Sequence, residues 1–224
     1  MDKDTLLKAL LTLVPMIMSL TVHEWAHAMT AYRLGDDTAA RQGRLTLNPL
    51  VHIDPIGTIL LPLVFALSGT GFSFGWARPV PVNPARFRRD VRMKTGLWLT
   101  ALAGPASNLV LATLMAIIFK VISMQGMPDA ALAELVLILL FMNVALAVFN
   151  MLPVPPLDGS RVVLGLLPDR AERGVTGFLE QYPFVIIIAF FALIRFGGEL
   201  IQWPVIQVAR GLLWVTGKIG RAHV

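Results

Sequence analysis

The sequence predicts an all-α polytopic membrane protein, and three observations carry that prediction. Apolar residues make up 56% of the 224-residue chain and charged residues only 15%, where a soluble domain carries about a quarter charged. The apolar residues gather into long runs, and the mean hydropathy is +0.70. The basic residues fall in the loops between those runs instead of forming one aromatic-studded face, which excludes nucleic acid as a partner despite a net charge of +5. About five to six membrane helices are expected, one of them short or re-entrant, with a small β-strand element beside them. All belong to a single membrane-embedded domain over residues 1–224.

A first helix is expected over residues 5–32, uncharged from Leu10 to Val22 and long enough to cross a hydrocarbon core of about 30 Å. Lys3 and Lys8, an apolar run and then Ala26-His27-Ala28 imitate a signal peptide with an A-x-A cleavage site. The segment is read as a retained helix, because cleavage there would divide the histidine motif described below. A polar stretch at 35–38 ends the helix. Residues 44–48, with Leu-Thr-Leu alternation closing on Asn48-Pro49, predict a short strand, and His52, Asp54 and Pro55 follow in a turn.

The apolar run 56–67 is interrupted by Pro62 and followed by Gly69, Gly71 and Gly75, which suits a short or re-entrant helix better than a full crossing. Residues 76–84 are extended, since each proline there biases its predecessor away from the helix. A basic loop with Arg86, Arg88, Arg89, Arg92 and Lys94 comes next. Further spans are expected over 95–122 and 132–152. The proline-rich turn 153–159 precedes a short helix ending near Leu167. The last apolar runs, 184–196 and 204–214, need their flanks to reach spanning length.

Lys and Arg in the loops set the orientation. With the C-terminal end of the first helix in the cytoplasm and 56–67 re-entrant, Arg33, Arg41, Arg44, Arg78, the 86–94 group, Arg161, Arg170, Arg173, Lys218 and Arg221 all share one side. Only Lys3, Lys8, Lys120, Arg195 and Arg210 lie elsewhere. A crossing by 56–67 would split the basic loops between the two sides.

The chemistry centres on His23-Glu24-Trp25-Ala26-His27, inside the first apolar run. On a helix the two imidazoles are one turn apart on one face and can share a metal ion. Glu24 lies about 100° round, placed to accept a proton from a metal-bound water rather than to ligate. Zinc held in this way lowers the pKa of its water to about 7, the machinery of a metalloprotease. Ionisable groups inside a membrane-length segment are expensive and mark function. Two histidines are not enough, because catalytic zinc takes three protein ligands and keeps an open position. The chain has no cysteine, so the third must be His, Asp or Glu. His52 is one candidate and Asp158 the other. As far as chemistry alone goes, Asp158 could equally be the N-cap of the helix it begins.

HEWAH in a first membrane helix, followed by Asn150-Met151-Leu152-Pro153-Val154-Pro155-Pro156-Leu157-Asp158-Gly159, resembles the site-2 protease family of intramembrane zinc metalloproteases. Residues 43–49 and 52–58 are similar to a compact prokaryotic branch without a PDZ or nucleotide-sensing domain. Gly104-Pro105-Ala106-Ser107-Asn108 is similar to a motif in the family's third core helix. The resemblance implies His23, His27 and Asp158 as ligands of one Zn2+ and Glu24 as general base, with Asn150 a donor to the developing oxyanion. It also implies a multi-pass protein of the bacterial cytoplasmic membrane whose partners are the lipid bilayer and a membrane-spanning peptide or protein substrate. Asp36, Asp37 and Arg41 are candidates for the mouth of a water path. Gly104 to Asn108 suits close helix packing, and Asn143 an interhelical hydrogen bond. The rival readings are a zinc-binding membrane transporter and a non-proteolytic membrane scaffold. A transporter would need a polar route through both leaflets, and a scaffold has no use for Glu24.

Overall fold

The computed structural model describes residues 3–68, 75–124, 126 and 129–219. Its long helices are α1 (Lys3–Arg33), α4 (Met93–Met124), α5 (Ala130–Asn150) and α9 (Gly198–Ile219). The shorter ones are α2 (Thr38–Arg41), α3 (Leu61–Ser68), α6 (Asp158–Leu166), α7 (Asp169–Gln181) and α8 (Pro183–Phe196). α4 is the hub and packs against α1, α5, α6 and α9. Small residues let the helices close up: Ala112 and Ala116 of α4 and Ala209 of α9 are fully buried against Leu140 and Val144 of α5. Gly165 does the same for α6, since a Cβ there would stand 2.2 Å from Trp98 of α4.

By length and composition, α4 and α5 can each cross a membrane; α7 and α8 would make a third crossing if counted as one span bent by 90°. Large apolar side chains cover the outside of these helices, among them Val110 at 60%, Phe191 at 65% and Trp203 at 67% exposure. An apolar exterior over a small-residue core is that of a multi-pass membrane protein. The helices expected over 5–32, 95–122, 132–152 and up to 167 form within a few residues of those limits. The run 204–214 is extended by its flanks into the 22-residue α9, whereas 184–196 gains only Pro183 and forms the 14-residue α8.

The strand expected over 44–48 does not form, and no β-strand occurs among the described residues. Local hydrogen bonds turn the chain away from a ladder: Thr46 Oγ1 accepts the Asn48 N–H at 3.1 Å, and the Thr46 carbonyl accepts from His52 Nε2 at 2.9 Å. The Asn-Pro signal proves to be a cap. Asn48, Asp54 and Asn83 each precede a proline, accept the N–H two residues on, and start the helical turns Pro49–Val51, Pro55–Leu60 (π-helical) and Pro84–Arg86. The π-turn runs on into α3, which ends before Gly69 and Gly71, residues outside those described. The chain then comes back beside its starting point: Trp76 N donates to Gly57 O at 3.1 Å and Arg78 N to His52 O at 2.8 Å. From there residues 76–83 run extended, with Ala77 packed on Met16 and Leu20 of α1.

Candidate metal centre

His23 and His27 leave α1 from one face, their rings 4.6 Å apart and nearly perpendicular. A third element meets them there. The turn after α5 brings Asp158 across, and its Oδ2 lies 3.1 Å from His23 Nε2 and 3.3 Å from His27 Nε2. Asp158 is the first residue of α6, whose cap position is taken by Leu157 without a side-chain bond. Its carboxylate points at the imidazoles instead of back at its own helix. Gly159 is what lets the turn fold so tightly, because a Cβ there would stand 2.2 Å from Met151 O. Gly104 of α4 faces both imidazoles, and a Cβ would meet His27 Nε2 at 2.5 Å and His23 Cε1 at 2.6 Å.

The far nitrogens of the rings fix their protonation pattern. His27 Nδ1 donates to Thr100 O at 2.7 Å, and His23 Nδ1 lies 2.6 Å from Asn108 Oδ1. Asn108 is oriented by its amide nitrogen, which donates to Ser19 O at 3.3 Å and to Asn143 Oδ1 at 2.8 Å. Asn143 is oriented in turn by donating to Leu139 O at 2.9 Å and Ser19 Oγ at 2.9 Å. Backbone carbonyls only accept, so the chain has one polarity, and His23 Nδ1 is its donor. With each Nδ1 engaged in this way, it is the two Nε2 atoms that face the Asp158 carboxylate. Two imidazole nitrogens gathered at 3.1 and 3.3 Å round one carboxylate oxygen could share a cation, and two imidazoles with one carboxylate suit zinc.

Glu24 stands at the edge of this cluster, where one ligand atom each from His23, Glu24 and His27 lies within 4.8 Å of the others. Its Oε2 accepts the Val80 N–H at 2.9 Å. Arg44, 6% exposed, donates to Arg78 O at 2.5 Å on the same extended segment. Burial pushes the Arg44 guanidinium below its ordinary pKa, Arg78 adds to this, and the Glu24 carboxylate opposes both.

The remaining expected residues fall outside the cluster. Asn150 Nδ2 donates back to Leu146 O at 3.0 Å. His52 is buried in the loop, bonded through Nε2 to Thr46 O. Asp36 is fully buried and anchors loops by accepting from Thr38 N at 3.0 Å and Asn83 N at 2.6 Å. Arg41 pairs with Asp37 and holds its carboxyl below the usual carboxylate range, with Arg86 adding to this. Asn143 makes the interhelical hydrogen bonds expected of it, and Thr100, Asn108 and Val80 are partners that the sequence left unassigned. Two of them act through backbone atoms, which leave no side-chain signal to read.

A membrane protein with two helical histidines and a carboxylate from a distant helix converging, and a glutamate beside them, has the makings of a zinc metalloprotease. Comparison with known proteins agrees. The model of Peptidase family M50 matches residues 119–194. YwhC of Bacillus subtilis, named as a zinc metalloprotease, is 40% identical over 202 residues, covering 88% of this chain and 86% of the relative. Rip2 of Mycolicibacterium smegmatis, also named as a zinc metalloprotease, is 34% identical over 198 residues, covering 87% and 72%. No solved structure matches. The chain belongs to Peptidase family M50, the site-2 protease family, and is a zinc metalloprotease of that type.

Proposed function

We propose that this protein hydrolyses peptide bonds of membrane-spanning substrates in a bacterial cytoplasmic membrane. His23, His27 and Asp158 hold one zinc ion, and Glu24 is the general base. The observation that carries the reading is the convergence of two imidazole Nε2 atoms on one Asp158 carboxylate oxygen, at 3.1 and 3.3 Å, beside Glu24. An apolar cavity of about 440 Å³, lined by Met18, Val22, Leu47 and Met115 with Ser19 and Asn143, borders the same stretch of α1 and suits an apolar substrate. α1, 31 residues and about 46 Å long at 1.5 Å per residue, also crosses the bilayer, as does α9. With α4, α5 and the apolar α8 that follows the bend after α7, this makes five crossings.

Bound zinc supplies Lewis acidity toward a carbonyl and toward water, whose pKa falls to about 7. Glu24 takes a proton as water attacks the scissile carbonyl carbon, and it returns that proton to the leaving amine as the C–N bond breaks. Asn150 gives one N–H to Leu146 O and has a second to offer the developing oxyanion. Gly104 and the Asn108–Asn143 chain keep the imidazoles in place.

The test is metal content and cleavage of a model membrane peptide by purified protein. His23→Ala and Asp158→Ala lower zinc occupancy alike. Glu24→Gln keeps the metal and loses about 10²–10⁴-fold in rate. Full zinc retention in Asp158→Ala would make Asp158 structural, and Glu24, whose carboxylate lies within 4.8 Å of His23 and His27, would be next in line as third ligand.

A further inference from the structure

The extended segment 76–83 is tied down from one side at alternate residues. Trp76 N donates to Gly57 O, Arg78 N to His52 O, and Val80 N to Glu24 Oε2. The positions between include Pro79 and Pro81, which have no N–H, so this side of the backbone holds the donors and the other is blunted. Arg44 Nη2 reaches the carbonyls of the same stretch, at 2.5 Å to Arg78 and 3.4 Å to Pro79. One peptide unit, Pro79–Val80, thus has a guanidinium at its carbonyl end and the Glu24 carboxylate at its amide end. Such an arrangement polarises the peptide and strengthens both bonds.

We propose that this strap is a positioning element for the general base. Arg44 grips its carbonyls, the Val80 N–H fixes Glu24 Oε2, and Oε1 is left to face the attacking water. The inference rests on the protease reading above. A flexible glutamate on a helix has several rotamers, and a carboxylate held at one oxygen keeps the other aimed. Val80 and Arg44 are positioning residues here, since neither touches the metal-binding atoms.

The experiment removes the amide and keeps the chain. Val80 stands between two prolines in an extended run, so Val80→Pro deletes the N–H where the backbone is already suited to proline. It is scored against Val80→Ala, which loses the side chain but keeps the N–H. The expected result for Val80→Pro is unchanged zinc content and KM within about twofold, with kcat about tenfold or more lower, as for a lost charge-assisted hydrogen bond. Arg44→Met lowers kcat in the same direction, and Arg44→Lys restores part of it, because an ammonium can still donate to Arg78 O. If Val80→Pro loses zinc or fails to fold, replacing Val80 by its α-hydroxy analogue exchanges only the N–H for an ester oxygen and gives the same reading. Equal kcat for the zinc-loaded N–H-deleted protein and Val80→Ala overturns the proposal. Failure of the protease reading looks different: zinc-loaded wild type would not cleave, or Glu24→Gln would cleave as well as wild type.

Discussion

At the scale of single residues, the site depends on groups that never touch the reacting atoms. Asn108 and Asn143 are fully buried amides whose only polarity compatible with the Ser19 and Leu139 carbonyls leaves Asn108 Oδ1 facing His23 Nδ1. Residues that orient a ligating histidine typically contribute about 10–100-fold in metal affinity. Asn108→Leu should therefore weaken zinc binding by about that factor, measured by chelator competition, and Asn143→Leu by less, since Asn108 keeps its bond to Ser19 O. Wild-type affinity in Asn143→Leu would end the chain at Asn108. Gly104→Ala should do more harm than either, because its Cβ would stand 2.5 Å from His27 Nε2, far inside van der Waals contact. The HEWAH and Leu-Asp-Gly signals were legible in the sequence because their spacing is local. The interhelical hydrogen bonding of Asn143 was legible too, but its partners were not, because they lie 35 and 124 residues away and no periodicity links them.

At the scale of elements, the apolar helices could be read from their runs, whereas the polar connections could not. Residues 44–48 alternate like a strand, but a strand needs a partner edge, and Thr46 spends its hydroxyl and carbonyl on local bonds instead. α7 was missed for a different reason: no run marks it, only a stripe formed by Val175, Phe178, Leu179 and Tyr182 at helical spacing. None of its residues is buried, and Lys94 ties its first residue to α4, holding the Asp169 carboxyl below the usual carboxylate range with help from Arg92. The 90° bend between α7 and apolar α8 lays α7 parallel to the membrane surface once α8 enters the bilayer. Phe178, Tyr182 and Phe184 stack in sequence across the bend, 5.0 and 5.9 Å between centroids, as aromatic residues do at an interface. The chain lacks cysteine, so single spin labels are clean probes. A label at Phe178→Cys should be relaxed by oxygen, which concentrates in lipid, and one at Arg173→Cys by a water-soluble nickel complex. Equal aqueous access at both positions would lift α7 off the membrane.

At the scale of the whole molecule, the question is how many times the chain crosses. The basic loops are bonded to one another at one end of the bundle. Arg88 N donates to Leu34 O at the end of α1, Arg86 pairs with Asp37, and Arg92 and Lys94 both reach Asp169 at the start of α7. The end of α1, the 86–94 loop and the α6–α7 turn therefore lie at one depth. The apolar excursion between them closes on itself, since Gly57 bonds Trp76 and His52 bonds Arg78 at 2.8–3.1 Å. A full crossing would part those residues by about 30 Å of hydrocarbon, so these bonds support a 56–67 segment that enters and returns. Positive charge gathered on one side is the pattern expected of a cytoplasmic face. Reporter fusions after Arg89 and after Arg173 should both read cytoplasmic. One after Asp129, at the opposite end of α4, should read external. Opposite readings after Asp37 and after Arg89, which bracket the excursion, would mean that it crosses, and the basic layer would then have to be broken in the membrane.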